Sequence, residues 1–141
     1  MSELDVEQLL QALDNDENES MIDLTTLKIK SIKNDMLQKL QLPKKTLKNY
    51  HKKLKDYRYV GELHEIRYGA YIRWINLKNI DNIRLTNGGI ICDIQVTNTG
   101  LWIKCKNNMN RFFQLKLDEC LIFQKLSDQE RILLKALDYL Q

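Results

Sequence analysis

Apolar residues recur at two different periods along this chain, and the change comes near Gly61. Before it they fall at threes and fours, the spacing of one helix face; after it they alternate with polar residues, the spacing of a half-buried strand. Leu4, Val6, Leu9, Leu10 and Leu13 predict a short amphipathic helix over residues 3–13. It is too short to hold alone. The segment Asp14-Asn15-Asp16-Glu17-Asn18-Glu19-Ser20 has no apolar anchor and is expected to be a flexible acidic tether. Leu27, Ile29, Ile32, Met36, Leu37 and Leu40 predict a second helix to about Gln41, with Asp23 or Thr25 as N-cap. Pro43 stops it and opens a third helix, in which Leu47, Tyr50, Leu54 and Tyr57 share one face.

The alternating half predicts five strands. The first covers residues 71–77, and the second carries Ile90, Cys92, Ile94 and Val96 on its buried face, between the turn residues Gly88-Gly89 and Asn98-Thr99-Gly100. Leu101, Ile103 and Cys105 then alternate with Trp102, Lys104 and Lys106, and Phe113, Leu115 and Leu117 alternate with Phe112, Gln114 and Lys116. Keeping the two apolar sets on one side places 105 opposite 113 and leaves a three-residue loop, 108–110. The outer side then pairs Lys106 with Phe112, Lys104 with Gln114, and Trp102 with Lys116. A fifth strand runs through residues 121–125. Ser127-Asp128-Gln129-Glu130 fits a capping box and starts a last helix, with Ile132, Leu133, Leu137 and Leu140 on its apolar face. Short antiparallel strands and a closing helix predict an α+β fold: a helical hairpin, then a small five-stranded SH3-like or OB-like barrel with a C-terminal capping helix.

At 141 residues the chain is sized for one domain. It divides into an acidic N-terminal segment (1–22), a basic hairpin (23–58) and the strand-rich unit (59–141), with 23–141 compact. Charge sharpens this division. Residues 1–23 hold eight acidic side chains and no Lys or Arg, whereas residues 24–58 hold eleven basic side chains against Asp35 and Asp56. Such sorting points to an electrostatic partner or to masking of one block by the other.

No run approaches the roughly 20 apolar residues of a membrane span, and the acidic start lacks the features of a secretory signal. Cys92, Cys105 and Cys120 are widely spaced and lie in apolar stretches, which predicts buried reduced thiols in an intracellular, reducing setting. No metal-ligand spacing, phosphate loop or paired nucleophile and base is present, so no cofactor, no metal and no enzyme are expected. Glu62, His64 and Glu65 form a small acid–imidazole group that reads as solvated surface.

Two constellations carry a binding chemistry. Lys44, Lys45, Lys48, Lys52, Lys53 and Lys55 line one side of the third helix, extended by Arg58, and suit backbone phosphates as point charges. Trp102, Lys104, Lys106, Phe112 and Lys116 interleave aromatic rings with cations on the outer side of two strands, an arrangement that stacks bases while neutralising phosphates. A non-catalytic, largely sequence-independent nucleic-acid-binding protein is expected, its acidic N-terminus competing for the basic face. The alternative is an adaptor subunit that holds protein partners through Leu4, Leu9, Leu10 and Leu13.

Residues 57–139, with Tyr71-Ile72-Arg73-Trp74-Ile75, Leu85-Thr86-Asn87-Gly88-Gly89-Ile90, Arg111-Phe112-Phe113-Gln114 and Phe123-Gln124-Lys125-Leu126, resemble small uncharacterised proteins encoded by nucleocytoplasmic large DNA viruses. That resemblance implies a host-cytoplasmic or virion setting, with genome packaging, transcription or particle assembly as roles. It carries no catalytic residues.

Overall fold

The computed structural model describes residues 5–140. Among these, the helices are α1 (Val6–Asp14), α2 (Thr26–Gln38), α3 (Lys44–Lys53) and α4 (Asp128–Tyr139), with short 3-10 turns that include Asp16–Met21 and Leu63–Glu65. The strands are β1 (Tyr57–Val60), β2 (Tyr71–Asn76), β3 (Gly89–Thr97), β4 (Gly100–Lys106), β5 (Phe112–Lys116) and β6 (Cys120–Lys125). No helix among the described residues is long and apolar enough to cross a membrane.

All strand pairings are antiparallel, in the order β1-β6-β2-β3-β4-β5. The fold is α+β as expected, but the five-stranded barrel is not formed: the sheet has six strands and stays open, with β1 and β5 as its edges. The additional strand is β1. In sequence it continues the apolar spacing of α3 through Leu54 and Tyr57, so a helical period conceals it. Although open, the sheet curls. The rings of Trp74 on β2 and Phe113 on β5 lie 6.0 Å apart, centroid to centroid, whereas a flat sheet would hold strands three places apart at about 14 Å. The concave side encloses Val60, Ile72, Trp74, Ile91, Ile103, Cys105, Leu115 and Ile122.

The convex side of β1-β6-β2 is covered by α2 and α3 through Leu37, Tyr50, Leu54, Ile75, Leu121 and Phe123. Complete burial of a side chain such as Phe123 or Leu54 contributes about 1.5–3 kcal/mol. Thr25, one of the two expected caps, accepts the backbone N–H of Lys28 and starts α2. Lys33 is drawn inside, where its Nζ donates to the carbonyls of Leu54 and Tyr57 at 2.7 and 2.9 Å, closing the end of α3. Burial lowers its pKa, with Lys30 adding to the effect and Asp56 opposing it.

Three expectations fail for local reasons. A bulge between Ile91 and Asp93 shifts the register of β3, so Ile91 is buried before it and Ile94 packs inward after it, while Ile90 and Cys92 are exposed; Val96 shares the side of Ile94 but is exposed near the end of the strand. Cys92 is therefore a surface thiol, while Cys105 and Cys120 are buried as expected. The segment Asp14–Ser20 is not a tether. Residues Asp16–Met21 form a 3-10 turn that buries Asn18 and Met21, and Asn15 and Asn18 both donate to Gln129 Oε1 of α4. Finally, α4 does not cap the strands. It packs on α1 and that turn, with Ala12, Met21, Ile29, Leu133 and Leu134 as a separate core.

The start of α4 is the expected capping box, Ser127 accepting the Glu130 N–H and Glu130 accepting the Ser127 N–H. Glu130 has a further role. It is only 1% exposed and meets Arg67 Nη2 at 2.9 Å and Arg58 Nε at 3.4 Å. Arg58 also reaches Glu65 at 3.2 Å and Ser20 Oγ at 2.8 Å, and the buried Gln124 joins the group by accepting from the Arg67 N–H and donating to the Glu65 carbonyl. One polar cluster thus ties the N-terminal turn, β1, β6 and α4 together.

Candidate nucleic-acid interface

Helix α3 is oriented by its apolar side. Tyr50 and Leu54 are buried against the sheet, and the Tyr50 hydroxyl accepts the backbone N–H of Leu85 at 3.1 Å. With that side fixed, a 3.6-residue period turns Lys44, Lys48 and Lys52, with Lys45 beside them, onto one exposed stripe. Lys44, Lys45, Lys48, Lys52, Lys53 and Lys55 are all exposed. None of the six forms an ion pair among the described residues, and the neighbouring Asp56 is engaged by Arg131 at 3.7 Å. Pro43 provides no side-chain cap and no acidic residue occupies the first turn, so Lys44 and Lys45 stand at the positive end of the helix dipole. Close lysines with uncapped N–H groups attract anions.

Two basic residues near the stripe do not belong to it. His51 Nε2 is 3.0 Å from Asn34 Oδ1, and burial, together with Lys33, lowers its pKa, which disfavours the charged form. Arg58, expected among the phosphate contacts, is corrected: it is 3% exposed and held by Glu65, Glu130 and Ser20. Strand parity explains this. On β1, Tyr57 and Tyr59 turn towards the helices, which sends Arg58 and Val60 to the opposite side of the sheet.

The expected register of β4 and β5 is observed in full: Lys106 opposite Phe112, Cys105 opposite Phe113, Lys104 opposite Gln114, and Trp102 opposite Lys116. The three-residue loop closes through Asn110, whose φ of 60° is the left-handed residue such a loop needs. Phe112 is 57% exposed, with Lys104 Nζ 4.7 Å and Lys106 Nζ 5.8 Å from its ring centroid. Trp102 is half-buried and donates its indole N–H to Thr99 Oγ1 at 3.1 Å. Lys116, also half-buried, lies 3.9 Å from Asp118 and is the most neutralised of the set.

Register also relates the two groups. Tyr71, on the side covered by the helices, pairs with Ile90, Ile90 with Lys106, and Lys106 with Phe112. Residues directly opposite share a side, so the β4–β5 cations and rings lie on the same convex side that α3 covers further along. Arg73 shares that side and was missed. The alternation of Tyr71-Ile72-Arg73-Trp74 was the signal that could have placed it; its Nε donates to the Thr86 carbonyl at 2.9 Å.

The expected partner-binding residues divide. Leu4 lies outside the described residues, Leu9 packs into the core beneath α1, and Leu10 and Leu13 are exposed. The exposed stripe of α1 is Val6, Leu10 and Leu13. Glu62, His64 and Glu65 do not converge: His64 and Glu62 are solvated, 3.3 Å apart, and Glu65 turns inward to Arg58. No cluster of three or more potential metal ligands occurs among the described residues.

No protein-family model, curated protein or solved structure matches this chain.

Proposed function

We propose that the protein binds nucleic acid through the phosphate backbone, without catalysis and with little regard to sequence. The observation that carries this reading is the set of exposed lysines on α3, Lys44, Lys45, Lys48, Lys52 and Lys53, with Lys55 just beyond its end, none of them in an ion pair among the described residues. Like charges so close on one helix repel one another, and a polyanion relieves that repulsion while releasing its own counterions. Lysine meets phosphate as a point charge and does not read base edges. Trp102, Lys104, Lys106, Phe112 and Lys116 are an auxiliary surface on the same side of the sheet. We infer from the resemblance to proteins of large DNA viruses that such an activity serves genome packaging or transcription, in the host cytoplasm or the virion.

The test is a titration on generic single- and double-stranded nucleic acids at two salt concentrations. Six phosphate contacts give a slope of log K against log salt of about −5 on duplex and about −4 on single strands. Reversing charge with K48E, K52E and K53E together should remove most of the binding and flatten the slope. Absence of binding, or affinity indifferent to both salt and reversal, refutes the reading.

A second reading has its own support. Val6, Leu10 and Leu13 form an exposed apolar stripe at i, i+4 and i+7 on α1, the pattern with which helices dock into protein grooves. An adaptor subunit of a virion or polymerase-like assembly would use it. Such a protein would co-purify with a partner and lose it on L10E, with the lysine reversal having no effect.

A further inference from the structure

We propose that the outer side of the β4–β5 hairpin takes unpaired nucleotides, so that the ligand class is single-stranded nucleic acid rather than duplex. This deepens the reading above and rests on it. Phe112 is a large apolar ring on an edge strand, 57% exposed, on a part of the sheet against which no α-helix among the described residues packs extensively. Its neighbours are cations rather than apolar side chains: Lys106 directly opposite and Lys104 diagonal to it, their ammonium groups 5.8 and 4.7 Å from the ring centroid.

That geometry suits one chemistry. An aromatic face takes any base by stacking, and flexible ammonium groups held at the ring by its quadrupole are within reach of the flanking phosphates of a stacked nucleotide. On stacking, the base replaces Lys104 over the ring and Lys104 moves to a phosphate. A duplex offers no such face, because its bases are stacked on one another and only its phosphate rim could touch a convex sheet. The lysines of α3 accept either form, since they need only phosphate. The two surfaces therefore differ in what they demand of the ligand: α3 supplies charge, and β4–β5 selects strandedness. Trp102 is placed to report on this, because its N–H is held by Thr99 while its ring remains half-exposed on the same side.

The experiment compares fluorescence anisotropy of labelled oligo(dT), oligo(rU) and a mixed-sequence DNA duplex of equal length, using the full chain, F112A, F112Y and the K48E/K52E/K53E protein. The wild-type chain should prefer both single strands. F112A should weaken them by about five- to a hundredfold and leave the duplex unchanged, F112Y should retain affinity, and lysine reversal should weaken all three ligands. Single strands should also quench the emission of Trp102, a signal lost in W102F. A duplex preference, or an F112A loss that is nil or equal on all ligands, overturns this inference while leaving phosphate binding by α3 intact. Binding of no nucleic acid at all overturns the underlying reading instead. Unchanged thermal unfolding of F112A separates a binding loss from a folding one.

Discussion

Lys33 and Arg58 show how little the charge of a residue says about where it ends up. Both lie in the basic block, and both are buried, Lys33 on two backbone carbonyls and Arg58 on two carboxylates and a hydroxyl. Neither fate is written locally: the partners of Arg58 are Ser20, Glu65 and Glu130, brought together only by the completed fold. The cysteines make the same point with a simpler test. Cys105 and Cys120 are buried, and burial pushes their thiols up to about 12 and about 11. Cys92 is exposed. Because the thiolate is the reactive species, a neutral-pH thiol reagent should modify a single cysteine quickly in the native protein, and all three only in denaturant. Mass mapping should place the fast site at Cys92; rapid labelling of Cys105 would contradict the packing of β4. The sequence pattern put all three inside, because the bulge that turns Cys92 outward leaves no mark on the alternation of residues 90–96.

Elements were legible where two independent signals agreed. The β4–β5 hairpin combined alternation on both strands with an asparagine-rich loop, and its register came out pair for pair. Helix α4 was announced by Ser127 and Glu130, and the capping box is there. By contrast β1 had one signal, and it was the wrong one, since Tyr57 falls at helical spacing from Leu54 and Tyr50. The capping box also shows the limit of local reading. Ser127 does only what its position suggests, so S127A should cost about 1 kcal/mol. Glu130 also neutralises two guanidinium groups in the interior, and removing one partner of a buried ion cluster costs about 3–5 kcal/mol. Chemical denaturation of S127A and E130A should separate the two by at least 2 kcal/mol, in that order. Equal losses would mean that the contacts to Arg58 and Arg67 contribute nothing beyond the cap.

At the scale of the molecule, the question is what the acidic N-terminal block does to the basic one. The charge sorting of the sequence suggested that the first shields the second. In the fold, the acidic segment is fixed against α4 by Asn15 and Asn18 and against β1 by Ser20, and no carboxylate of residues 5–23 pairs with a lysine of α3 among the described residues. Its effect on α3 is then a long-range field, which salt screens beyond about 10 Å at 0.1 M. The same contacts give the segment a structural role, because Met21 and Ala12 are fully buried in the core it shares with Leu133. Deletion of residues 1–22 is therefore expected to lower the thermal midpoint, and M21A alone should cost about 2–5 kcal/mol. Affinity for nucleic acid, measured below the melting range, should change little at physiological salt. A shielding segment would behave in the opposite way: its removal would leave stability untouched and tighten binding, most strongly at low salt. One pair of measurements, unfolding and a salt-dependent titration on the M21A and truncated proteins, decides between a lid on the cationic helix and a wall of the core, and the buried Met21 argues for the wall.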